Sequence, residues 1–195
     1  MNKKNDELPI SLKLKSELNL SNEIKVILNK FEEKLGFLPN VFKSFYHSSK
    51  KLASFLSFRN EIMLGNSGLS LLQKEMIAVV VSSINNCHYC LVSHSAAVRE
   101  LSNNPILGDI LIMNYRVSDV SYKDMVMLNF AEKLTKESSK INEYDREELR
   151  KAGFSENDIW DICEVVGFFN YTNRLASGTK MIPNTEYYFR SRKKV

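Results

Sequence analysis

The stretch SLLQKEMIAVVVSSINNCHYCLVSHSAAVREL, residues 70–101, decides between sheet and helix for this chain. Its middle, residues 77–81, is rich in β-branched side chains and by propensity alone suits a buried strand. What precedes it argues otherwise. Ser70 with Gln73 three residues on is the pattern of a capping box, in which two side chains satisfy the free N–H groups of a helix start. No segment elsewhere alternates with period 2 between turn residues, so a strand here would have no partner. The stretch therefore reads as a helix over 71–84, a break at Asn85 and Asn86, and a second helix over 87–101.

The same periodicity extends outward. Ile24, Ile27, Leu28, Phe31 and Leu35 form one stripe between Ser21 and Gly36. A short segment follows around Pro39, and Leu52, Phe55, Leu56 and Ile62 mark a helix that stops at Gly65. Further helices are expected over 104–115, from Ser121, over 142–153, and from Ser155 to Gly178. The fold class is thus all-α, a single domain of seven to nine helices over residues 19–186. Residues 1–18 read as a loosely attached extension and residues 187–195 as a basic tail.

The chain has 195 residues, is 44% hydrophobic and 26% charged, and carries a net charge of +4. The four cations Arg190, Arg192, Lys193 and Lys194 account for that excess, so the body of the chain is neutral. A solvated, frayed end is the expectation for this tail. No basic patch interleaved with aromatics is visible, and nucleic acid is not an expected partner. The start MNKKNDELPI is polar and lacks an apolar signal core. Residues 76–98 lack Asp, Glu, Lys and Arg, but the polar run around Asn85 and Asn86 would sit at mid-bilayer depth. No membrane partner is expected, and the chain reads as cytoplasmic, where a CxxC pair is more often redox-active or metal-binding than a structural disulfide.

Cys87 and Cys90 stand at i, i+3, so on a helix their sulfurs share a face. Asn86 is a good N-cap residue, which would place Cys87 at or near the first helical position and Cys90 in the first turn. Free N–H groups and the positive helix end there favour a thiolate. His94, four residues after Cys90, shares the face and suits proton exchange near neutral pH. If the two helices form an antiparallel hairpin about Asn85, Glu75 and His94 lie at similar depth on its arms. Glu75 then orients His94, and His94 handles the proton of Cys90. Ordinary core packing is one alternative. A zinc site formed by Glu75, Cys87, Cys90 and His94 is another, although three ligands from one helix are unusual for structural zinc.

The spacing E-x11-C-x2-C-x3-H resembles the signature of the alkylhydroperoxidase D-like superfamily, which includes carboxymuconolactone decarboxylases. The segments LGFLPNVFKSF (35–45) and GFFNYTNRLASG (167–178) resemble its peroxidase-related subgroup, and the likeness spans residues 25–185. The resemblance implies an all-α homo-oligomer (dimer, trimer or hexamer) that reduces hydroperoxides. It implies that Cys90 attacks the peroxide and becomes a sulfenic acid. Cys87 is then the proton donor and resolving thiol, closing a Cys87–Cys90 disulfide, and Glu75 and His94 are the proton relay. No cofactor and no metal are implied. The partners are the hydroperoxide and a thiol or dithiol reductant, a protein or a lipoyl-type group. Some members carry a His directly before the second Cys, where this chain has Tyr89, with His88 one place earlier. Decarboxylase members lack the dithiol. A thiol–disulfide reductase or adaptor and a zinc-binding interaction module are the rival functions.

Other residues fit around this group. Tyr89, His47, Asn170 and Arg174 are candidates for supporting positions, His47 at the peroxide entrance. Asn170, Asn173 and Arg174 bring polar groups into an otherwise apolar helix. Cys163 reads as a buried, inert thiol.

Overall fold

A computed structural model describes residues 8–16 and 20–192, and every regular element among the described residues is helical. The order is α1 (Asn22–Leu35), α2 (Asn40–Ser44), α3 (Ser49–Leu64), α4 (Leu71–Ile84), α5 (His88–Ser102), α6 (Leu107–Asn114), α7 (Tyr122–Lys136), α8 (Glu143–Lys151), α9 (Glu156–Thr179) and α10 (Glu186–Phe189). Two 3₁₀ turns, Tyr115–Val117 and Ser138–Lys140, join neighbours. The short pieces α2 and α10, of 5 and 4 residues, are those that apolar periodicity resolves least well.

Hydroxyl caps set the starts. The side chains of Ser21, Ser70, Ser121 and Ser155 each accept a hydrogen bond from a backbone N–H in the first turn. The box at Ser70 and Gln73 is complete, and Ser155 with Asp158 forms another. Gly36, at φ 80, ends α1 in the left-handed region that favours glycine. The last long helix runs past Gly178 to Thr179, and Lys180 takes the left-handed position instead.

Helix α4 is the axis of the molecule. Lys74 through Ser82 are buried without a gap, because α5, α6, α7 and α9 surround this helix and α3 touches it. The β-branched run is therefore a helix apolar on every side, as a fully enclosed helix must be. The buried Lys74 ammonium donates to the Ile62 carbonyl at 2.8 Å, one of the free carbonyls at the end of α3. Helix α6 approaches α5 so closely that a Cβ on Gly108 would stand 2.6 Å from the Ser95 carbonyl oxygen.

The turn between α4 and α5 differs from the expectation. Asn86 does not cap α5. It takes φ 51, while its N–H donates to Ser83 O at 3.1 Å and the Cys87 N–H donates to Ser82 O at 3.0 Å. These two bonds close α4 in a Schellman motif, with Asn86 as the left-handed residue. Cys87 becomes the N-cap of α5, and His88 its first helical residue.

Both chain ends fold onto this body where they are described. The Ser11 N–H donates to Thr179 O at 2.8 Å, and the Ile182 N–H donates to Pro9 O at 3.0 Å. Residues 187–192 are docked rather than frayed. Arg190 pairs with Glu100 at 2.6 Å and Arg192 with Asp109 at 2.8 Å. The buried Arg99 guanidinium holds the backbone between them, donating to Tyr187 O at 2.9 Å and Arg190 O at 3.2 Å. Lys193 and Lys194 lie outside the described residues.

Candidate active site

The helix hairpin brings Glu75 and His94 together. His94 Nδ1 lies 2.6 Å from Glu75 Oε2, and the Glu75 side chain is 8% exposed. A carboxylate removed from water requires such a partner. With Nδ1–H donating to the carboxylate, Nε2 is the ring nitrogen left for proton exchange. The His94 ring also packs edge-on against Phe169, with centroids 4.6 Å apart.

Cys87 and Cys90 are both buried free thiols, hydrogen-bonded to each other. Such a pair loses its first proton more readily than an isolated thiol and its second far less readily, because one sulfur stabilises the other as a donor. The charge is favoured on Cys87. The hydrogen bond from the Cys90 thiol is the main cause. Burial opposes it, and the Cys90 backbone N–H, the Ser177 hydroxyl and the field of His94 assist, bringing Cys87 down to about 6. The Cys90 thiol is pushed up, first by its bond to Cys87, then by burial. Asn173 and Ser82 act in the opposite direction on Cys90, each through a side-chain hydrogen bond that favours its thiolate.

Ser82 and Ser177 were not singled out in the sequence, whereas Asn170, Asn173 and Arg174 were, as polar groups on an apolar helix. Ser82 closes the apolar run of α4. Asn173 is buried in α9, and its Nδ2 donates to Ser82 Oγ at 3.0 Å. Asn85, in the hairpin turn, donates to the Oδ1 atoms of Asn170 and Asn173, both at 3.0 Å. Arg174 donates to Asn170 Oδ1 at 2.7 Å from the outer side. A polar line thus runs from exposed Arg174 through Asn170, Asn85, Asn173 and Ser82 to Cys90. Asn170 and Asn173 were legible as polar residues on an apolar helix, and Ser177, four residues after Asn173, continues their spacing.

Other expected residues separate. Tyr89 lines the site and receives the Val41 N–H at its hydroxyl, 2.8 Å away, which ties α2 to α5. Burial pushes its phenol well up. His47 is not brought to the site. Its Nδ1 lies 3.1 Å from Ser44 O at the end of its own short helix, its ring stacks on Phe45, and it does not line the cavity. His88 faces away too, with Nε2 2.8 Å from the Tyr188 hydroxyl. Cys163 is half-buried on α9, clear of the cavity, and burial raises its thiol.

Cys90, His94 and Glu75 line one cavity of about 500 Å³, and Cys87 does not. The walls come from α1 to α5, α9 and Tyr187 of α10 and are mainly apolar, with Phe42, Phe55, Phe168 and Phe169 prominent. Volume and lining suit a small organic molecule. Among the described residues no group of three or more His, Cys, Asp or Glu is arranged to hold a metal ion. No helix among them is long and apolar enough to cross a membrane.

Known proteins share this architecture. The model of the carboxymuconolactone decarboxylase family matches residues 52–105, which span α3 to α5. No curated protein sequence matches significantly. Among solved structures, an uncharacterized peroxidase-related protein from Silicibacter sp. TM1040 is 50% identical, with TM-score 0.91, over 98% of this chain and 100% of that one. A second uncharacterized peroxidase-related protein, an alkylhydroperoxidase AhpD core from Ralstonia eutropha JMP134, is 33% identical, with TM-score 0.90, over 97% and 100%. The debrominase Bmp8 is 18% identical, with TM-score 0.73, over 87% and 90%, a likeness of fold alone. The helical hairpin carrying Glu75, Cys87, Cys90 and His94 and the full-length likeness at 50% identity together assign the chain to the carboxymuconolactone decarboxylase superfamily, as an AhpD-like peroxidase-related protein.

Proposed function

We propose that the protein is a thiol peroxidase that reduces hydroperoxides at Cys90 and closes a Cys87–Cys90 disulfide. One observation carries the reading: of two hydrogen-bonded thiols, Cys90 lines the cavity together with the paired Glu75 and His94, and Cys87 does not. The resting charge favours Cys87, but the hydrogen bond between the sulfurs is also the path for correcting this. Transfer of the Cys90 proton to Cys87 leaves a Cys90 thiolate supported by Asn173 and Ser82, and makes Cys87 the nearest acid.

The Cys90 thiolate then displaces alkoxide from the O–O bond. An S–O bond forms, the O–O bond breaks, and sulfur gives up two electrons. The alkoxide takes its proton from Cys87. The Cys87 thiolate next attacks the sulfenic acid, forming the S–S bond, and the departing oxygen leaves as water with a proton delivered through His94. In total two thiols and one hydroperoxide become one disulfide, one alcohol and one water. A thiol or dithiol reductant must return the disulfide to two thiols.

The test is single-turnover peroxide consumption by the reduced protein, followed by mass spectrometry of the thiols. One equivalent of organic hydroperoxide should yield a Cys87–Cys90 disulfide with Cys163 untouched. Cys90→Ser should consume none. If Cys90→Ser consumed peroxide at the wild-type rate, the assignment would be wrong.

A further inference from the structure

The cavity in front of Cys90 is lined by cations that form no direct ion pair with an acid among the described residues. Arg59, on α3, lines it with its guanidinium 4.9 Å above the centroid of the Phe31 ring. Its Nη1 donates to Asn60 Oδ1 at 2.9 Å, and among the described residues no carboxylate stands within ion-pair distance. The two carboxylates that line the same cavity are engaged elsewhere, Glu75 by His94 and Glu100 by Arg190. Lys30 and Lys34, one turn apart on α1, extend the positive wall and likewise have no ion-pair partner among the described residues.

A guanidinium is always charged, and its planar donors match a carboxylate in two-point contact. The Phe31 ring lies under the guanidinium and offers its donors no hydrogen-bond acceptor, so they remain available to a ligand. Burial lowers the Arg59 pKa while the fields of Glu75 and Tyr187 oppose that, so Arg59 stands within electrostatic reach of the Glu75–His94 pair. Apart from Ser93, Thr172 and the tyrosine hydroxyls, the remaining walls are aromatic and aliphatic. A ligand complementary to this lining has an apolar body and one anionic end.

We propose that the cavity selects an apolar carboxylate, with Arg59 holding the carboxylate and the aromatic walls holding the chain that brings a peroxide to Cys90. Given the peroxidase reading on which this rests, the substrate class is the fatty-acid type of hydroperoxide rather than hydrogen peroxide.

Two arms test it. In the first, binding of decanoate and of the uncharged decanamide to the reduced protein is measured by calorimetry, with no peroxide present. The wild type should prefer decanoate roughly tenfold, as expected of a hydrogen-bonded charge pair, and the preference should weaken with salt. Arg59→Gln should bring the ratio near one while decanamide still binds, and Arg59→Lys should restore part of it. Equal wild-type binding of the two ligands, or a preference that survives Arg59→Gln, would overturn the proposal, and the wild-type comparison decides even if the variant does not fold. In the second arm, the KM ratio of linoleic acid hydroperoxide to its methyl ester should be low in the wild type and near one in Arg59→Gln. If Arg59 served only to hold the charge of Glu75, both substrates would slow equally through kcat and the ratio would stay as it was. A protein that consumed no peroxide would sink the peroxidase reading while the decanoate arm still decided the role of Arg59.

Discussion

At the scale of single residues the proposed chemistry turns on one proton shared by Cys87 and Cys90. The Cys87–Cys90 pair should deprotonate once near pH 6, where Cys87 is held, rather than in the usual thiol range. Lowering a thiol pKa puts the reactive form above that value, so the rate of peroxide consumption should rise through pH 6 and level off near neutrality. Ultraviolet thiolate absorbance against pH, compared with Cys87→Ser, checks this; a single step in the usual thiol range would contradict it. Asn173 supports the Cys90 thiolate, and its loss removes one hydrogen bond to a charged group. Asn173→Ala should therefore slow peroxide consumption by about tenfold. His94→Gln should cost about a hundredfold, the usual scale for a lost acid–base group. Cys163→Ser should match the wild type.

At the scale of elements the hairpin turn places the pair. Asn86 adopts φ 51, a conformation that Asn tolerates and alanine resists. Asn86→Ala should lower stability by about 1 kcal/mol, and Asn86→Gly should be near neutral, as read by denaturant unfolding. A second element boundary gives a pH signature. Glu132 on α7 meets Lys136, the Tyr115 hydroxyl and Arg116. Burial works against its charge, yet the three hydrogen bonds together outweigh burial and hold the carboxyl at about 2. The folded pKa lies below the ordinary carboxyl value of 4.5, so the contribution is complete above 4.5 and is lost as pH falls toward 2. Solvent screening keeps it to about 1 kcal/mol. Glu132→Gln should be destabilised by that amount at neutral pH and should converge with the wild type in acid.

At the scale of the molecule the chain ends lock onto the helices that carry the site. Arg99 is 2% exposed and donates to two carbonyls of the C-terminal arm. Arg99→Met should lower stability by about 2–3 kcal/mol, because the carbonyls stay buried without donors. Hydrogen exchange should then quicken over 187–192 before it does so in α4. The arm shares α5 with Cys90 and His94, so its loosening is also expected to broaden the thiol titration.

The helices, their caps and the quartet of Glu75, Cys87, Cys90 and His94 were legible in the sequence because they rest on local periodicity. Apolar residues at helical spacing, Ser70 with Gln73, and a turn midway between Glu75 and His94 need only the 3.6-residue repeat and a hairpin. The capping of α5 was not legible, because whether Asn86 caps the next helix or closes the last one depends on the Schellman bonds to Ser82 and Ser83. The docking of the basic arm was not legible either, since Arg190 and Arg192 find Glu100 and Asp109 across some 90 and 83 residues of chain. Nor could spacing show which thiol faces the cavity, that Asn173 and Ser82 reach Cys90, that His47 stays at its own helix end, or that Arg59 stands without an acid. Local pattern determined which groups this protein carries and on which helix face each lies. Their partners, burial and charge were decided only when α9, α3 and the chain ends closed around α4 and α5, because contacts between residues far apart in the chain leave no period in the sequence.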